Sequence, residues 1–290
     1  MIGDKVIIIH SMVSIGYVGN NTISSVLQMG CNDIVIVPTV LYSNHLGHST
    51  VGGFKISEDL LTAVLNGILE LGIIKEITTI ITGFIGSAEQ VKIIANFVRT
   101  IKILKPEIRY LCDPVMGDID KGQYVEPDVP NALVKYLVPL ADFLTPNQYE
   151  IETIIGKQIN TAEDVPRLLK GQFNLNKQKI VITSISFKNL DMNLIYNCIL
   201  EEKGCEIVKV QKIDLHPPGT GDMFTAYLCL LMQRGMKLSD AIKLSGNIIS
   251  KVLINMLKGK RIEFELQDIL YSINILQTMN YNSSTEIKTI

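Results

Sequence analysis

Short runs of β-branched residues alternate along this chain with longer segments that place apolar residues at helical spacing. Two such helical segments are Glu58–Leu71 and Ala88–Leu104, and each lies between two short runs. This order is typical of parallel strands joined by crossover helices. It predicts an α/β fold, a three-layer α/β/α sandwich around a central, mostly parallel sheet. The predicted parallel strands are Lys5–His10, Ile34–Pro38, Thr78–Thr82, Tyr110–Asp113, Phe143–Thr145 and Lys179–Thr183.

After Thr183 the pattern changes. Two strand-like runs, Leu194–Leu200 and Cys205–Val210, are separated by four residues that end in glycine, which predicts an antiparallel hairpin. Three helical segments follow: Asp222–Gln233, Leu238–Leu257 and Phe264–Leu276. No repeat or linker divides the chain, so we expect one domain over residues 1–279. Residues 280–290 are rich in Asn, Ser and Thr and predict a disordered tail.

The composition excludes several classes of protein. With 290 residues, 47% of them hydrophobic and 19% charged, the chain is not an intrinsically disordered protein. The 27 Lys and Arg against 29 Asp and Glu leave no positive field for nucleic acid. Five cysteines without Cys-x-x-Cys spacing predict reduced thiols and a cytoplasmic location. No uncharged apolar segment approaches the roughly 20 residues of a membrane span, so we expect neither a span nor a signal peptide.

Polar residues collect where the predicted strands end, and in open parallel sheets that edge binds ligands. The sharpest of these clusters is Gly219-Thr-Gly-Asp222, which leads directly into an apolar helix. Its glycines allow several backbone N–H groups to face one point, and the helix N-terminus favours negative charge. A phosphoryl group in transfer suits this cradle, and Asp222 could accept a proton at its rim. Asp is also an ordinary first-turn residue, so the tetrapeptide alone does not establish a site.

Three further strand ends offer ligands for a cation or for phosphate. Asp113 and Asp118 are brought together by a turn at Gly117, and two carboxylates suit Mg²⁺ on a polyphosphate. Asn147 and Glu150 have the spacing of a capping box, so a structural and a functional interpretation stay equally open. Thr183 and Ser184 present hydroxyls to phosphate oxygens or an alkali cation.

Several motifs are missing. The chain has no Gly-x-x-x-x-Gly-Lys-[Ser/Thr] loop, no Gly-x-Gly-x-x-Gly after the first strand and no Gly-x-Ser-x-Gly elbow. These absences argue against Walker-type NTPases, Rossmann dehydrogenases and α/β-hydrolases. His45 and His48 are three residues apart with neither a cysteine nor clustered acids beside them, so we expect no zinc site there.

Eight short motifs follow one another over nearly the whole chain. Two are the most detailed: residues 11–20, with the pattern Ser-x-Val-x-x-Gly-x-x-Gly-Asn, and residues 42–45, Tyr-Ser-Asn-His. The others are Thr82–Phe84, Cys112–Asp118, Ala141–Asp142, Thr145–Glu150, Val181–Ser184 and Gly219–Asp222. Each is weak alone, but in this order they resemble the pyridoxal kinases, the vitamin B6 salvage kinases of the ribokinase-like superfamily.

The resemblance implies ATP-dependent phosphorylation of the 5′-hydroxyl of pyridoxal to pyridoxal 5′-phosphate, with pyridoxine and pyridoxamine as further candidate substrates. It also implies a need for Mg²⁺, an activating K⁺ or Na⁺ ion, and a homodimer. Asp222 would be the base, and the amides of Gly219, Thr220 and Gly221 would hold the transferring phosphoryl group.

The resemblance assigns three further sets of residues. ATP would contact Asp113, Asp118, Tyr124, Thr145, Asn147, Glu150, Thr183 and Ser184. Five of these residues would bind the cations: Asp113, Asp118, Glu150, Thr145 and Thr183. The vitamin would contact Ser11, Val18, His45 and Phe84 besides Asp222.

Two positions depart from the pattern, and two alternatives stay open. Relatives commonly carry Thr where this chain has Leu46, and many carry Tyr where it has Phe84, so the preferred B6 vitamer is open. Each lost neutral hydrogen bond would cost about 1 kcal/mol of affinity. One alternative is a hydroxymethylpyrimidine kinase, and the other is a non-catalytic vitamin or nucleotide sensor. The segment from His45 to Gly53 is either a lid over the site or a plain surface loop.

Overall fold

The computed structural model describes residues 5–188 and 190–285. Within these ranges the strands are β1 (Lys5–Val13), β2 (Asp33–Tyr42), β3 (Gly53–Lys55), β4 (Ile77–Thr82), β5 (Arg109–Cys112), β6 (Gly117–Asp118), β7 (Gly122–Gln123), β8 (Phe143–Leu144), β9 (Lys179–Ile185), β10 (Leu194–Glu201) and β11 (Gly204–Gln211). The α-helices are α1 (Asn20–Met29), α2 (Glu58–Glu70), α3 (Ala88–Leu104), α4 (Val129–Ala132), α5 (Gln148–Ile155), α6 (Asp164–Leu169), α7 (Thr220–Gln233), α8 (Leu238–Lys258) and α9 (Leu266–Thr285).

One large sheet runs through the molecule in the order β11-β10-β9-β8-β5-β4-β1-β2-β3. Its central pairs, from β9 to β2, are parallel, and the pairs β2–β3, β9–β10 and β10–β11 are antiparallel. Helices cover both faces. The predicted three-layer sandwich with a mostly parallel sheet is therefore confirmed, and so is the antiparallel hairpin after Thr183.

Strand β1 shows why the sheet is buried on both sides. Successive side chains of a strand point to opposite faces, and every residue from Val6 to Ile9 is fully buried. Ile7 and Ile9 pack with residues of α2 and α3, whereas Val6 and Ile8 pack with α1, α7 and α8. The continuous apolar run at the start of the sequence thus supplies both cores.

Helix α7 places the N–H groups of its first turn at the edge where the parallel strands end. Nearly its whole length is buried, from Met223 to Leu231. Because packing holds this helix on all sides, its first turn has a fixed position relative to β1 and β5.

Some elements differ from the prediction. Strand β1 continues past His10 through an irregularity to Val13, so Ser11 lies within the strand instead of after it. The short strands β3, β6 and β7 were not predicted, since two or three residues are too few to show a periodicity. Helix α9 continues to Thr285, into the segment predicted to be a tail, and residues 286–290 lie outside the described part of the chain. No helix in the described ranges is long and apolar enough to cross a bilayer.

Candidate active site

The first turn of α7 presents main-chain donors. The first hydrogen bond of the helix runs from the Met223 N–H to the Gly219 carbonyl at 2.9 Å, and no side chain caps this end. The N–H groups of Thr220, Gly221 and Asp222 precede that bond, and within the described residues none of them donates a hydrogen bond to protein. The Thr220 hydroxyl donates to the Pro217 carbonyl at 2.7 Å, so this side chain is bonded to the segment that precedes the helix. The turn can therefore bind an anion.

Position 219 requires glycine for two reasons, its backbone conformation and the lack of space for a side chain. Its φ of 90° lies in the left-handed region, and a β-carbon there would come within 2.2 Å of the Tyr17 carbonyl oxygen. With any residue other than glycine at position 219, the start of α7 and the loop after β1 could not approach each other this closely.

Asp222 is held from the β1 side. Its Oδ2 accepts a hydrogen bond from the Gly19 N–H at 2.6 Å, and its Oδ1 lies 3.0 Å from Nε2 of His10. Burial by itself would raise the pKa of Asp222, but the interactions with His10 and the Gly19 N–H outweigh it and hold the pKa below its ordinary value. The lowered pKa keeps the carboxylate ionised, and 12% of the side chain is exposed.

His10 is the site residue that the sequence analysis missed. It is buried within β1, and its Nδ1 accepts a hydrogen bond from the Ser11 N–H at 2.8 Å. Of the two contacts of Nε2, the one with the Asp222 carboxylate (3.0 Å) is shorter than the one with the Phe84 N–H (3.3 Å), so we assign the ring proton to Nε2, where it faces Asp222. No sequence signal marks this role, because a histidine in an apolar strand has no motif around it and Asp222 lies far along the chain.

Gly83 leaves room for that histidine. A β-carbon at Gly83 would lie 1.9 Å from both Cδ2 and Nε2 of the His10 ring. The Thr82-Gly83-Phe84 motif at the end of β4 therefore has a steric reason: the backbone of the neighbouring strand touches the ring that orients Asp222.

Asp113 follows β5 and lies near Asp222 and His10. Its Oδ2 accepts a hydrogen bond from the Thr225 hydroxyl at 3.2 Å. Burial, together with the negative charge of Asp222, raises the pKa of Asp113 to about 7. Two carboxyl groups thus lie close together here, one ionised and the other titrating near neutrality.

Glu150 and Asn147 form the predicted capping box at the start of α5. The Asn147 side chain accepts from the Glu150 N–H at 2.9 Å, and Glu150 accepts from the Asn147 N–H at 2.8 Å. The second carboxylate oxygen of Glu150 accepts from the Met116 N–H at 3.0 Å. Burial, and after it the charge of Asp113, raises the pKa of Glu150 well above its ordinary value. The box is therefore structural, yet it places a further acidic group beside Asp113.

Tyr124 shows how closely the acidic groups are placed. Tyr124 is 37% exposed, but its hydroxyl is desolvated, which raises its pKa, and the negative charges of four carboxyl groups add to the effect: Glu150, Asp113, Asp118 and Asp222. Asp118 lies in the hairpin of β6 and β7, where its Oδ1 accepts from the Lys121 N–H at 2.6 Å. Oxygen ligands and excess negative charge at one place fit Mg²⁺, which prefers carboxylates and water.

Two neighbouring strand ends add hydroxyl groups. Thr145 is buried after β8, and Thr183 in β9 directs its hydroxyl to the Pro146 carbonyl at 3.4 Å. Ser184 is exposed and has a φ of 52°, which costs a non-glycine residue strain of order 1–3 kcal/mol. Strained residues of this kind collect at ligand sites, and Ser184 lies at the edge where the sequence predicts ATP.

The predicted vitamin residues fall into two groups. Ser11 and Phe84 contact His10: the Ser11 hydroxyl lies 3.1 Å from its Nδ1, and the Phe84 N–H lies 3.3 Å from its Nε2. Val18 precedes the Gly19 N–H that binds Asp222. His45 lies in the loop after β2, where its side chain contacts Gly47, His48 and Glu263. No acidic residue stands beside the two histidines in the sequence, but the fold brings Glu263 to them.

Comparison with known proteins identifies the family. The phosphomethylpyrimidine kinase family matches residues 22–265. A pyridoxal kinase of Arabidopsis thaliana is 33% identical over 228 residues, which are 77% of this chain and 72% of the relative. The pyridoxal kinase PdxY of Deinococcus radiodurans is 29% identical over 255 residues, 86% of each chain.

A solved structure has the same fold. The crystal structure of Plasmodium falciparum PdxK with the ligands AMP-PNP and PL superposes with a TM-score of 0.81, at 25% identity, over 94% of this chain and 96% of that one. Together with the sequence relatives, this similarity confirms the resemblance found in the motifs. The chain belongs to the phosphomethylpyrimidine kinase family, and its relatives place it among the pyridoxal kinases.

Proposed function

We propose that this protein transfers the γ-phosphoryl group of ATP to the 5′-hydroxyl of pyridoxal, giving pyridoxal 5′-phosphate and ADP. The observation that carries the proposal is the ionised carboxylate of Asp222 beside the unpaired N–H groups of α7. One group can take a proton and the others can hold a phosphoryl group, which are the two tasks of this reaction. The names of the relatives and the AMP-PNP and PL of the Plasmodium falciparum structure support the choice of substrates.

In this mechanism the vitamin hydroxyl oxygen forms a bond to the γ-phosphorus as the bond from phosphorus to the ADP oxygen breaks. The hydroxyl proton goes to Asp222. A carboxylate with a lowered pKa is too weak a base to ionise an alcohol beforehand, so Asp222 orients the hydroxyl and accepts the proton late in the transfer. Each of its oxygens keeps a lone pair for this, because each accepts only one contact from the protein.

The amides of Gly219, Thr220 and Gly221 would stabilise the charge on the transferring group, together with that of Asp222. N–H donors fixed before the reaction need no reorganisation when charge spreads over the phosphoryl oxygens. The buried length of α7 keeps these donors in place relative to Asp222, which stands on the same turn. Alignment and electrostatics therefore supply most of the catalysis, as a loose transition state requires.

Mg²⁺ would be held on the nucleotide by Asp113, Asp118 and Glu150, with the hydroxyls of Thr145 and Thr183 nearby. When bound, the ion neutralises charge on the phosphate oxygens. A K⁺ or Na⁺ ion near Thr183 and Ser184 belongs to the same proposal. The donor set fits these cations because three carboxyl groups supply oxygen ligands, and burial followed by the charge of a neighbouring carboxyl group raises the pKa of both Asp113 and Glu150.

A second candidate is phosphorylation of hydroxymethylpyrimidine, which the description of the matched family favours. Both acceptors are ring-bound CH₂OH groups, so the phosphoryl machinery is common to the two reactions. The residues of the ring pocket decide between them, and the motifs at residues 11–20 and 42–45 favour pyridoxal.

The protein would act as a homodimer. Leu41 in β2 and Phe54 in β3 are cross-strand neighbours at the open edge of the sheet. They are 41% and 62% exposed, an apolar pair that a second copy could cover. The cytoplasmic location expected from the cysteine pattern stays a prediction.

One assay tests the proposed function. ADP release is followed with pyridoxal, pyridoxine, pyridoxamine and hydroxymethylpyrimidine in parallel, each with ATP and Mg²⁺. The proposal predicts turnover with at least one B6 vitamer at a kcat/KM well above that for the pyrimidine. The reverse ranking would favour the second candidate, and no turnover with any of the four alcohols would favour a sensor without activity.

A further inference from the structure

Two histidines and a glutamate from distant parts of the chain meet outside the phosphoryl site. His45 and His48 lie in the loop between β2 and β3, and Glu263 lies in the connection from α8 to α9. Oε1 of Glu263 is 3.2 Å from Nε2 of His45 and 3.1 Å from Nε2 of His48. The two imidazole rings are 4.3 Å apart between centroids. Three potential ligand atoms therefore converge on one point.

The distances from the Glu263 oxygen to the two ring nitrogens match the coordination shell of a small transition-metal ion. With metal–nitrogen and metal–oxygen bonds of about 2.0–2.1 Å, neighbouring ligands are about 3.3 Å apart in a tetrahedron and about 2.9 Å apart in an octahedron. The two observed nitrogen–oxygen separations lie between these values. We infer that His45, His48 and Glu263 form a binding site for a divalent transition-metal ion such as Zn²⁺, with water at the open position.

The state of His45 is a second, independent observation. Its Nε2 is buried and makes no hydrogen bond, because the nearby Glu263 oxygen is not aligned with it for one. A buried ring nitrogen without a hydrogen bond is costly, and a metal ion would satisfy it. The side chains of His48 and Glu263 are 44% and 37% exposed, so an ion can enter from solvent.

Metal binding changes one local contact. The Gly47 N–H donates to Nδ1 of His45 at 3.0 Å, which places the ring proton on Nε2. When Nε2 binds the ion, this proton must move through solvent to Nδ1, and the Gly47 bond breaks. Gly47 is exposed and has no side chain, so its peptide can turn at a cost of about one hydrogen bond.

The ligand types separate this site from the Mg²⁺ site. Imidazole nitrogen suits zinc, cobalt, nickel and copper, whereas Mg²⁺ takes oxygen ligands and keeps its waters. The ion would bridge the β2–β3 loop and the α8–α9 connection, two segments that are more than 200 residues apart in sequence. His45 is also expected to contact the vitamin, a point that rests on the proposed function, but the metal site itself does not depend on that function.

Calorimetric titration of the full chain with ZnCl₂ tests the inference. The protein is first treated with chelator and dialysed, and Mg²⁺ is present in excess to occupy the carboxylate site. We expect one tight Zn²⁺ per chain in the wild type. His48→Ala and Glu263→Gln should each weaken this binding at least about 10-fold, since even outer-shell changes at metal sites cost 10–100-fold. His216→Ala, which removes an exposed histidine elsewhere, should leave it unchanged.

Hydrogen exchange gives a readout of the loop itself. Zn²⁺ should slow exchange in residues 43–52 of the wild type and of His216→Ala, but not in His48→Ala or Glu263→Gln. Exchange of the buried strand β1 shows whether each variant is folded, and both substitutions affect partly exposed side chains. Absence of tight Zn²⁺ binding, or equal binding in all four proteins, would overturn the site, in the second case because other residues hold the metal. Kinase activity enters neither measurement, so a failure of the metal site and a failure of the proposed function are distinguishable.

Discussion

Asp222 keeps its charge although it is buried and has a second carboxyl group, Asp113, nearby. The hydrogen bond from the Gly19 N–H and the contact with His10 offset the cost of burial, and the pKa of Asp222 falls. At Asp113, burial and the charge of Asp222 outweigh the attraction of His10 and the hydrogen bond from the Thr225 hydroxyl, so its pKa rises to about 7. The fold therefore gives two neighbouring carboxyl groups opposite properties.

His10→Leu tests the contribution of the imidazole. Removing the Nε2 proton donor takes away one of the interactions that lower the pKa of Asp222, so that pKa should rise. The base is then ionised only at higher pH, and the acid limb of the kcat/KM profile should move to higher pH. His10→Gln, which keeps an N–H donor, should move it less. An unchanged acid limb in His10→Leu would show that His10 does not set the charge of Asp222.

Asp113→Asn tests the cost of the buried acid. The folded pKa of Asp113 is above the unfolded value of 3.8, so its unfavourable contribution to stability develops as pH rises from about 4 to about 7. The metal-free variant should therefore be more stable than the wild type, by more than about 1 kcal/mol at pH 8, and the difference should shrink toward pH 4. Denaturant unfolding at several pH values measures this. A difference independent of pH would contradict the explanation.

The site residues that stand in local sequence motifs could be predicted, but the distant residues that contact them could not. Asp222, Asn147 and Glu150 stand in recognisable local patterns, and the capping box was confirmed. His10 and Glu263 stand in no pattern, and each matters through a residue more than 200 positions away. Local spacing contains no information on such pairs, because they form only when the sheet and the last helices have assembled.

At the scale of elements, close approach between β1 and β4 holds His10 in place. Gly83→Ala would put a β-carbon within 1.9 Å of the ring and should lower stability by about 1–3 kcal/mol and displace His10. Gly67→Ala is the matched control. Gly67 is exposed within α2 and a β-carbon there meets nothing within 4 Å, so this variant should gain about 0.5–1 kcal/mol. Thermal unfolding of both variants measures their changes in stability. Equal changes in the two variants would contradict the steric role of Gly83.

Long elements were predicted better than short ones, for a physical reason. Helix α3 has the predicted bounds, because 17 residues show a complete apolar face. The hairpin of β6 and β7, with two residues in each strand, is specified by tertiary contacts and escaped prediction although it carries Asp118. The same applies to β3, whose three residues are all exposed.

At the scale of the whole molecule, the open edge of the sheet predicts the assembly. Phe54→Asp would place a charge in the apolar pair with Leu41 and should convert a dimer into a chain of 32.2 kDa in light scattering. Ile103→Asp is the control, since Ile103 is 78% exposed on α3. It should leave the dimer intact. A monomeric wild type, or a dimer that persists in Phe54→Asp, would contradict this interface.

In the proposed reaction the carboxylate of Asp222 accepts the proton of the vitamin hydroxyl while the amides of α7 hold the phosphoryl group. Single-turnover phosphoryl transfer from ATP to pyridoxal by Asp222→Asn tests it most directly, with nucleotide affinity and thermal unfolding measured on the same protein. We expect transfer slower by on the order of 10²-fold or more, with nucleotide affinity and fold retained. Transfer at close to the wild-type rate would contradict it.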